Sequence, residues 1–140
     1  MEAAHAAHSW AAEARELAVI RATTRRWLLV LGVDEDVVGD IVCAVNEAAA
    51  NAIDHAYLDA PHPGLVGVDL AAGPDEMHIA ISDQGVWRRP RRPGLDGRGR
   101  GIELMTAMIH SVEIHHTSAG TVVDLRHPIS RAADRGPRAG

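Results

Sequence analysis

The chain has no phenylalanine, no lysine and a single cysteine, and aromatic residues make up only 3% of its 140 positions. With Cys43 alone, no intrachain disulfide can form, and its place at the flank of an apolar helical stripe reads as a packed small hydrophobe rather than a reactive or metal-binding thiol. No apolar run is long enough to span a bilayer or to serve as a secretory signal, so a cytoplasmic chain without membrane contact is expected. In the absence of lysine, all 14 basic residues are arginines, and 19 acidic residues bring the net charge to -5. Gripping nucleic acid by its phosphates takes a cationic surplus, so direct nucleic-acid binding is not expected and the partners should be proteins or small molecules. What is present, 46% hydrophobic and 24% charged residues, suffices for one domain to bury a core without disulfides or structural metal.

Residues 1–14 are rich in alanine and histidine with little pattern, and are expected to form a flexible or partly helical lead-in, with Ser9 as a possible helix cap. From Arg15, the positions Leu17, Ile20, Thr24, Trp27, Leu28 and Leu31 recur at helical spacing and stop at Gly32, a natural C-terminal cap. Asp34 offers an N-cap for a second helix, which should run to about Tyr57 and be closed off by Pro61, Pro63 and Gly64. Leu65–Ala71 and Met77–Ser82 read as strands joined by a tight turn at Gly73-Pro74-Asp75. A loop rich in Gly, Pro and Arg follows Asp83. A third helix is expected from about Gly101 to His110, then strands near Val112–His116 and Thr121–Arg126 joined at Ser118-Ala119-Gly120. One domain over 15–128 with a disordered tail over 129–140 completes the layout. This order of elements suggests a two-layer α/β (α+β) sandwich, with helices on one face of a mixed, mostly antiparallel sheet.

The second helix carries the first chemical signal. At about 100° per residue, Val38, Ile41, Val42, Val45, Ala49, Ala52 and Ala56 form a core-facing stripe, while Glu47, Asn51, Asp54 and His55 cluster roughly opposite. Glu47 precedes Asn51 by one turn, so on a shared face one can handle a proton while the other holds a hydrated cation. Taken alone, the pair reads more readily as a solvated polar face, as most charged helix faces are. Asp83-Gln84-Gly85 stands at the C-terminal end of a strand, where the carboxylate is held rigidly and Gly85 permits close approach of a ligand, although Asp-x-Gly is also a common turn. Gly97-Arg98-Gly99-Arg100-Gly101 runs straight into a helix. Alternating glycines there free backbone N–H groups to converge on an anion such as phosphate, and the helix dipole adds to that attraction. The loop lacks the Gly-Lys-Ser/Thr of a Walker A motif and does not sit in a βαβ unit with a downstream acidic residue.

In sequence order, these pieces resemble the N box and the successive glycine boxes of the GHKL ATPase superfamily, with Gly120-Thr121 at a strand start as the last of them. Within it, Asn51-Ala-Ile-Asp-His-Ala-Tyr57, Asp83-Gln-Gly-Val-Trp87 and Gly99-Arg-Gly-Ile-Glu-Leu-Met105 are similar to the RsbW and SpoIIAB branch, the anti-sigma factor serine-protein kinases. The resemblance covers about Leu17 to Pro128 and implies the Bergerat ATP-binding fold. It further implies that Asp83 accepts a hydrogen bond from the exocyclic amine of adenine, with Thr121 and an ordered water completing the contact and Gly85 leaving room for the base. Asn51 would coordinate Mg2+, whose other ligands come from phosphate and water. Gly97, Gly99, Arg100 and Gly101 would clamp the phosphates of ATP, with Asp54 and Ile102 also in the nucleotide site. Glu47 would be the general base toward a serine hydroxyl of a partner protein.

Two features depart from the family pattern. Members often open with a β-strand before the first helix, and residues 1–14 show no convincing one. The segment from Val86 to Asp96 occupies the place of the ATP lid but is short, with Arg88, Arg89, Arg91 and Arg92 interleaved with Pro90 and Pro93. It reads as a solvated mobile lid, with contact to phosphates or an acidic partner as the alternative. His115 and His116 are neighbours on a strand and point to opposite faces, so they cannot easily share a metal. His55 is assigned to packing or hydrogen bonding, Trp10 and Trp27 to core or interface, and Trp87 to the lid's root.

The implied activity is that of an ATP-dependent serine-protein kinase that binds an alternative sigma factor and phosphorylates a serine of a STAS-type anti-sigma factor antagonist. A homodimer is implied too, and the exposed parts of the first helix and its lead-in are read as the homodimer or partner surface. The alternative is an ATP-binding regulatory module that sequesters a partner without phosphoryl transfer; Glu47 favours the kinase, because a pure binder needs no base. A histidine sensor kinase is the weaker reading, since no dimerisation helix bearing a phospho-accepting histidine precedes the domain.

Overall fold

The computed structural model describes residues 4–56, 64–85 and 99–129. Its strands are β1 (Ala4–Ala11), β2 (Leu65–Ala72), β3 (Glu76–Asp83), β4 (Ser111–Thr117) and β5 (Gly120–Pro128). The helices are α1 (Leu17–Val30), entered through a 3-10 turn at Ala14–Glu16, α2 (Glu35–Asn51), which continues into a π-helical turn at Ala52–Ala56, and α3 (Gly99–Met108). The strands form one sheet in the order β1-β2-β3-β5-β4. Every described pairing is antiparallel, so the parallel component expected of a mixed sheet is not found among the described residues.

Period-two alternation decides which face of the sheet is covered. Val66, Val68, Leu70 and Ala72 of β2, Met77, Ile79 and Ile81 of β3 and Val123 and Leu125 of β5 are buried, and they join one core with Ile20 and Leu28 of α1, Val38, Ile41, Ala44, Val45, Ala48 and Ala49 of α2, and Met105 of α3. The stripe on α2 is therefore centred slightly differently from the expected one: Ala44 and Ala48 belong to it and Val42 is only half-buried. Helix boundaries follow local chemistry. Gly32 takes a positive φ of 77° just past α1, a backbone conformation that glycine adopts without steric cost. The Asp34 carboxylate accepts the Asp36 N–H at 3.4 Å as the N-cap of α2. The expected closure of α2 near Tyr57, Pro61 and Pro63 lies outside the described residues.

The lead-in reading of residues 1–14 is corrected. Ala4–Ala11 is an edge strand paired with β2 over eight positions, and the Ala12 N–H extends the contact to the Gly64 carbonyl at 2.8 Å. The segment AHAAHSWA has none of the β-branched residues that usually mark a strand, and the ladder to β2 overrides that weak preference. At the other end, the Ile129 N–H donates to the Asp75 carbonyl at 2.9 Å, so chain order extends one residue into the expected tail; residues from Ser130 lie outside the described set.

Candidate functional site

Asp83, the last residue of β3, faces the helix layer and is only 7% exposed. Its Oδ1 accepts the N–H of Gly85 at 3.0 Å and that of Thr121 at 3.3 Å. These two donors lock the carboxylate in one orientation. Burial pushes its pKa up from the usual aspartate value, opposed by the Gly85 and Thr121 hydrogen bonds and, whenever the His116 ring is protonated, by its charge nearby. Gly120 explains why β5 can supply the second donor. It has a positive φ of 139° and lies so close to β3 that a Cβ there would collide with the Asp83 carbonyl oxygen. Only glycine lets the strand begin at that approach, which places Thr121 opposite Asp83 in the ladder.

Around this carboxylate lies a narrow cleft lined by Ala48, Asn51, Ala52, Ile81, Asp83, Ile102, Met105, Ile114, Thr121 and Val123. Its walls are apolar and its polar groups few. Asp83, Thr121 and Asn51 reach it from three elements, which is the usual composition of a small-molecule site. Alanines at 48 and 52 on α2 leave the room; larger residues one turn apart there would fill the space beneath the base of the cleft.

Glu47 and Asn51 lie together on α2 as expected, both half-buried rather than solvated. What covers them is the first turn of α3. A Cβ on Gly101 would stand 3.0 Å from Glu47 Oε2 and 3.5 Å from Asn51 Nδ2, so the glycine lets the helix start against both side chains. The N-terminal end of α3 therefore meets the acid–amide pair directly, where its dipole favours negative charge. Ile102 lines the cleft, and Asp54 lies on the π-helical turn and does not line it. Gly99 and Arg100 open α3, but the Arg100 side chain, like Gly97, Trp87 and the arginines of the expected lid, lies outside the described residues; so does the His55 side chain.

The apolar lining was not predicted residue by residue. Ile81, Ile114 and Val123 are ordinary alternating strand residues, and their role follows only from strand order. His115 and His116 do face opposite sides: His115 Nε2 reaches Asp124 at 3.1 Å and Glu113 at 3.5 Å, whereas His116 Nδ1 lies 3.0 Å from Thr121 Oγ1. Trp10 and Trp27 are half-buried against the core, with Trp10 stacked on His8 at 5.6 Å between ring centroids. Cys43 is a free, half-buried thiol. No helix among the described residues is long and apolar enough to cross a membrane.

Comparison with known proteins points the same way as the geometry. Residues 10–127 match a family described as the histidine kinase-like ATPase domain. The chain is 35% identical over 122 residues to the serine-protein kinase RsbW of Halalkalibacterium halodurans, which covers 76% of this chain and 73% of that one. It is 30% identical over 89 residues to the anti-sigma F factor of Clostridium beijerinckii, covering 56% of this chain and 62% of the relative. Among solved structures, the RsbU and RsbW domains of a Mycobacterium tuberculosis protein align with a TM-score of 0.74 at 26% identity, over 91% of this chain but only 33% of that longer one.

Proposed function

The chain belongs to the histidine kinase-like ATPase domain family, in its RsbW-type branch, and from that premise we propose that it is an ATP-dependent serine-protein kinase acting as an anti-sigma factor. It would hold an alternative sigma factor and phosphorylate a serine of a STAS-type antagonist in the cytoplasm. The observation that carries the reading is the meeting of Glu47, Asn51 and the start of α3 at Gly101, beside a cleft that ends on a doubly braced buried carboxylate. Adenine suits that carboxylate because its exocyclic amine is a hydrogen-bond donor. The phosphates then extend toward the N-terminal end of α3, where free amides and the helix dipole favour them.

Asn51 offers one amide oxygen, and among the described residues no group of three or more His, Cys, Asp or Glu side chains is placed to hold a metal ion. That donor set suits Mg2+ held largely by phosphate and water, where it would neutralise charge on the nucleotide. Glu47, one turn away, would take the proton of an incoming serine hydroxyl as its oxygen bonds to the terminal phosphorus and ADP departs. Gly97, Gly99, Arg100 and Gly101 are assigned to the phosphates, and Asp54 to the rim. The homodimer or partner surface is assigned to α1 and β1, supported by exposed Val19 and Val30, at 46% and 81%, and by a groove lined by His8, Ala22, Thr23, Arg26, Trp27 and Val30.

Incubation with ATP labelled on its terminal phosphate and a small antagonist domain tests the kinase directly. Label should appear on an antagonist serine. Nucleotide binding with no label on the antagonist would leave only an ATP-gated binding module.

A further inference from the structure

The histidine at the rim of the cleft has no part in the reading above. On β4, Val112, Ile114 and His116 share the helix-facing side, and His116 lies directly opposite Thr121 of β5. Ile114 lines the cleft with Thr121, so His116 stands one step further along the same face, at the cleft's edge. Its Nδ1 is 3.0 Å from Thr121 Oγ1. Thr121 is 3% exposed and its N–H already donates to Asp83 Oδ1. The two polar groups of one residue thus connect the buried carboxylate to the rim imidazole.

A threonine hydroxyl carries one proton and can rotate, so by itself it presents either a donor or an acceptor to a ligand. A bond to Nδ1 removes that freedom. In the tautomer with its proton on Nε2, His116 accepts the Thr121 proton, and Oγ1 shows only lone pairs to the cleft. Asp83 and Thr121 are then two acceptors side by side. Such a pair suits a purine bearing an amine at its six-position and repels one bearing an oxygen there, because the oxygen would face acceptors with no proton between them.

We propose that His116 is a positioning residue for base recognition: its hydrogen bond holds the Thr121 hydroxyl as an acceptor beside Asp83, and so selects ATP over GTP. The inference rests on the nucleotide reading of the cleft and goes beyond it by naming what fixes the polarity of the base-reading edge.

The test is a set of nucleotide titrations on His116→Leu, Thr121→Val, the double variant and His116→Asn, with thermal denaturation to verify folding. His116→Leu should weaken ATP about tenfold while GTP binding stays level or improves. Thr121→Val should do the same, and the double variant should be no worse than Thr121→Val alone, because both remove one coupled interaction. His116→Asn places an amide oxygen near the Nδ1 position and should restore most of the preference. Equal losses for ATP and GTP, or additive losses in the double variant, would overturn the proposal in favour of packing alone. Asp83→Asn separates the two levels. If it leaves ATP binding intact, the nucleotide reading of the cleft fails. If it abolishes binding while His116→Leu leaves the ATP-to-GTP ratio untouched, only the role of His116 fails.

Discussion

Burial raises the proton affinity of Asp83, and the same burial makes its ionised form the strongest anchor that an amine donor can find in the cleft. A carboxyl whose folded pKa lies above the unfolded value of 3.8 penalises the folded state when ionised. Its contribution to stability therefore falls as pH rises from 3.8 through the raised value, and stays low above it. Asp83→Asn removes the charge. Its side-chain oxygen can still accept from Gly85 and Thr121, but the amide then faces the adenine amine donor to donor. At pH 7 the variant should melt no lower than the unmodified chain and bind ATP about 100-fold more weakly or worse; calorimetry and a melting curve check both halves. Gly101→Ala makes a second separation. An alanine gains about 1 kcal/mol of helix propensity, yet its methyl would press on Glu47 Oε2 at 3.0 Å. Melting should hold or rise while phosphoryl transfer drops at least about tenfold. At this scale the sequence was most legible. Glu47, Asn51, Asp83, Gly101 and Thr121 announce themselves by type, order and spacing. His116 does not, because its partner is assigned by the β4–β5 register, which no local pattern encodes.

Elements were legible in proportion to how strongly their own residues prefer them. α1 and α2 carry clear helical periods and caps, and β2 through β5 alternate cleanly. β1 was misread because an alanine-rich segment has little intrinsic strand preference and gains its conformation from pairing with β2. The junction of α3 with β4 shows a different tertiary dependence. The His110 N–H, just past α3, donates to His127 Nδ1 at 3.1 Å. Burial lowers the His127 pKa, opposed by Asp40 and reinforced by His110. A histidine with a depressed folded pKa contributes stability above its unfolded value of 6.5 that is lost as pH falls through the folded value. His127→Asn keeps an acceptor for the His110 N–H but does not titrate. Denaturant melts at stepped pH should therefore show a shallower loss of stability below 6.5 in the variant than in the unmodified chain.

For the whole molecule, the central proposition is that a sheet with helices on one face brings a proton acceptor, a metal-binding amide and a helix N-terminus together at one end of an adenine cleft. The fold class was readable because the succession of helices and hairpins admits few layered arrangements, whereas the fully antiparallel pairing and the edge strand came only with tertiary contacts. The apolar lining likewise reflects strand order rather than any motif. The role proposed for Glu47 as the base in phosphoryl transfer separates a kinase from a nucleotide-gated binder. Single-turnover transfer from ATP to the antagonist serine, compared between Glu47→Gln and the unmodified chain with ATP affinity measured on both, tests it most directly. Glu47→Gln should bind ATP within about threefold of normal and transfer phosphate at least about 100-fold more slowly. Transfer by Glu47→Gln as fast as by the unmodified chain would contradict it.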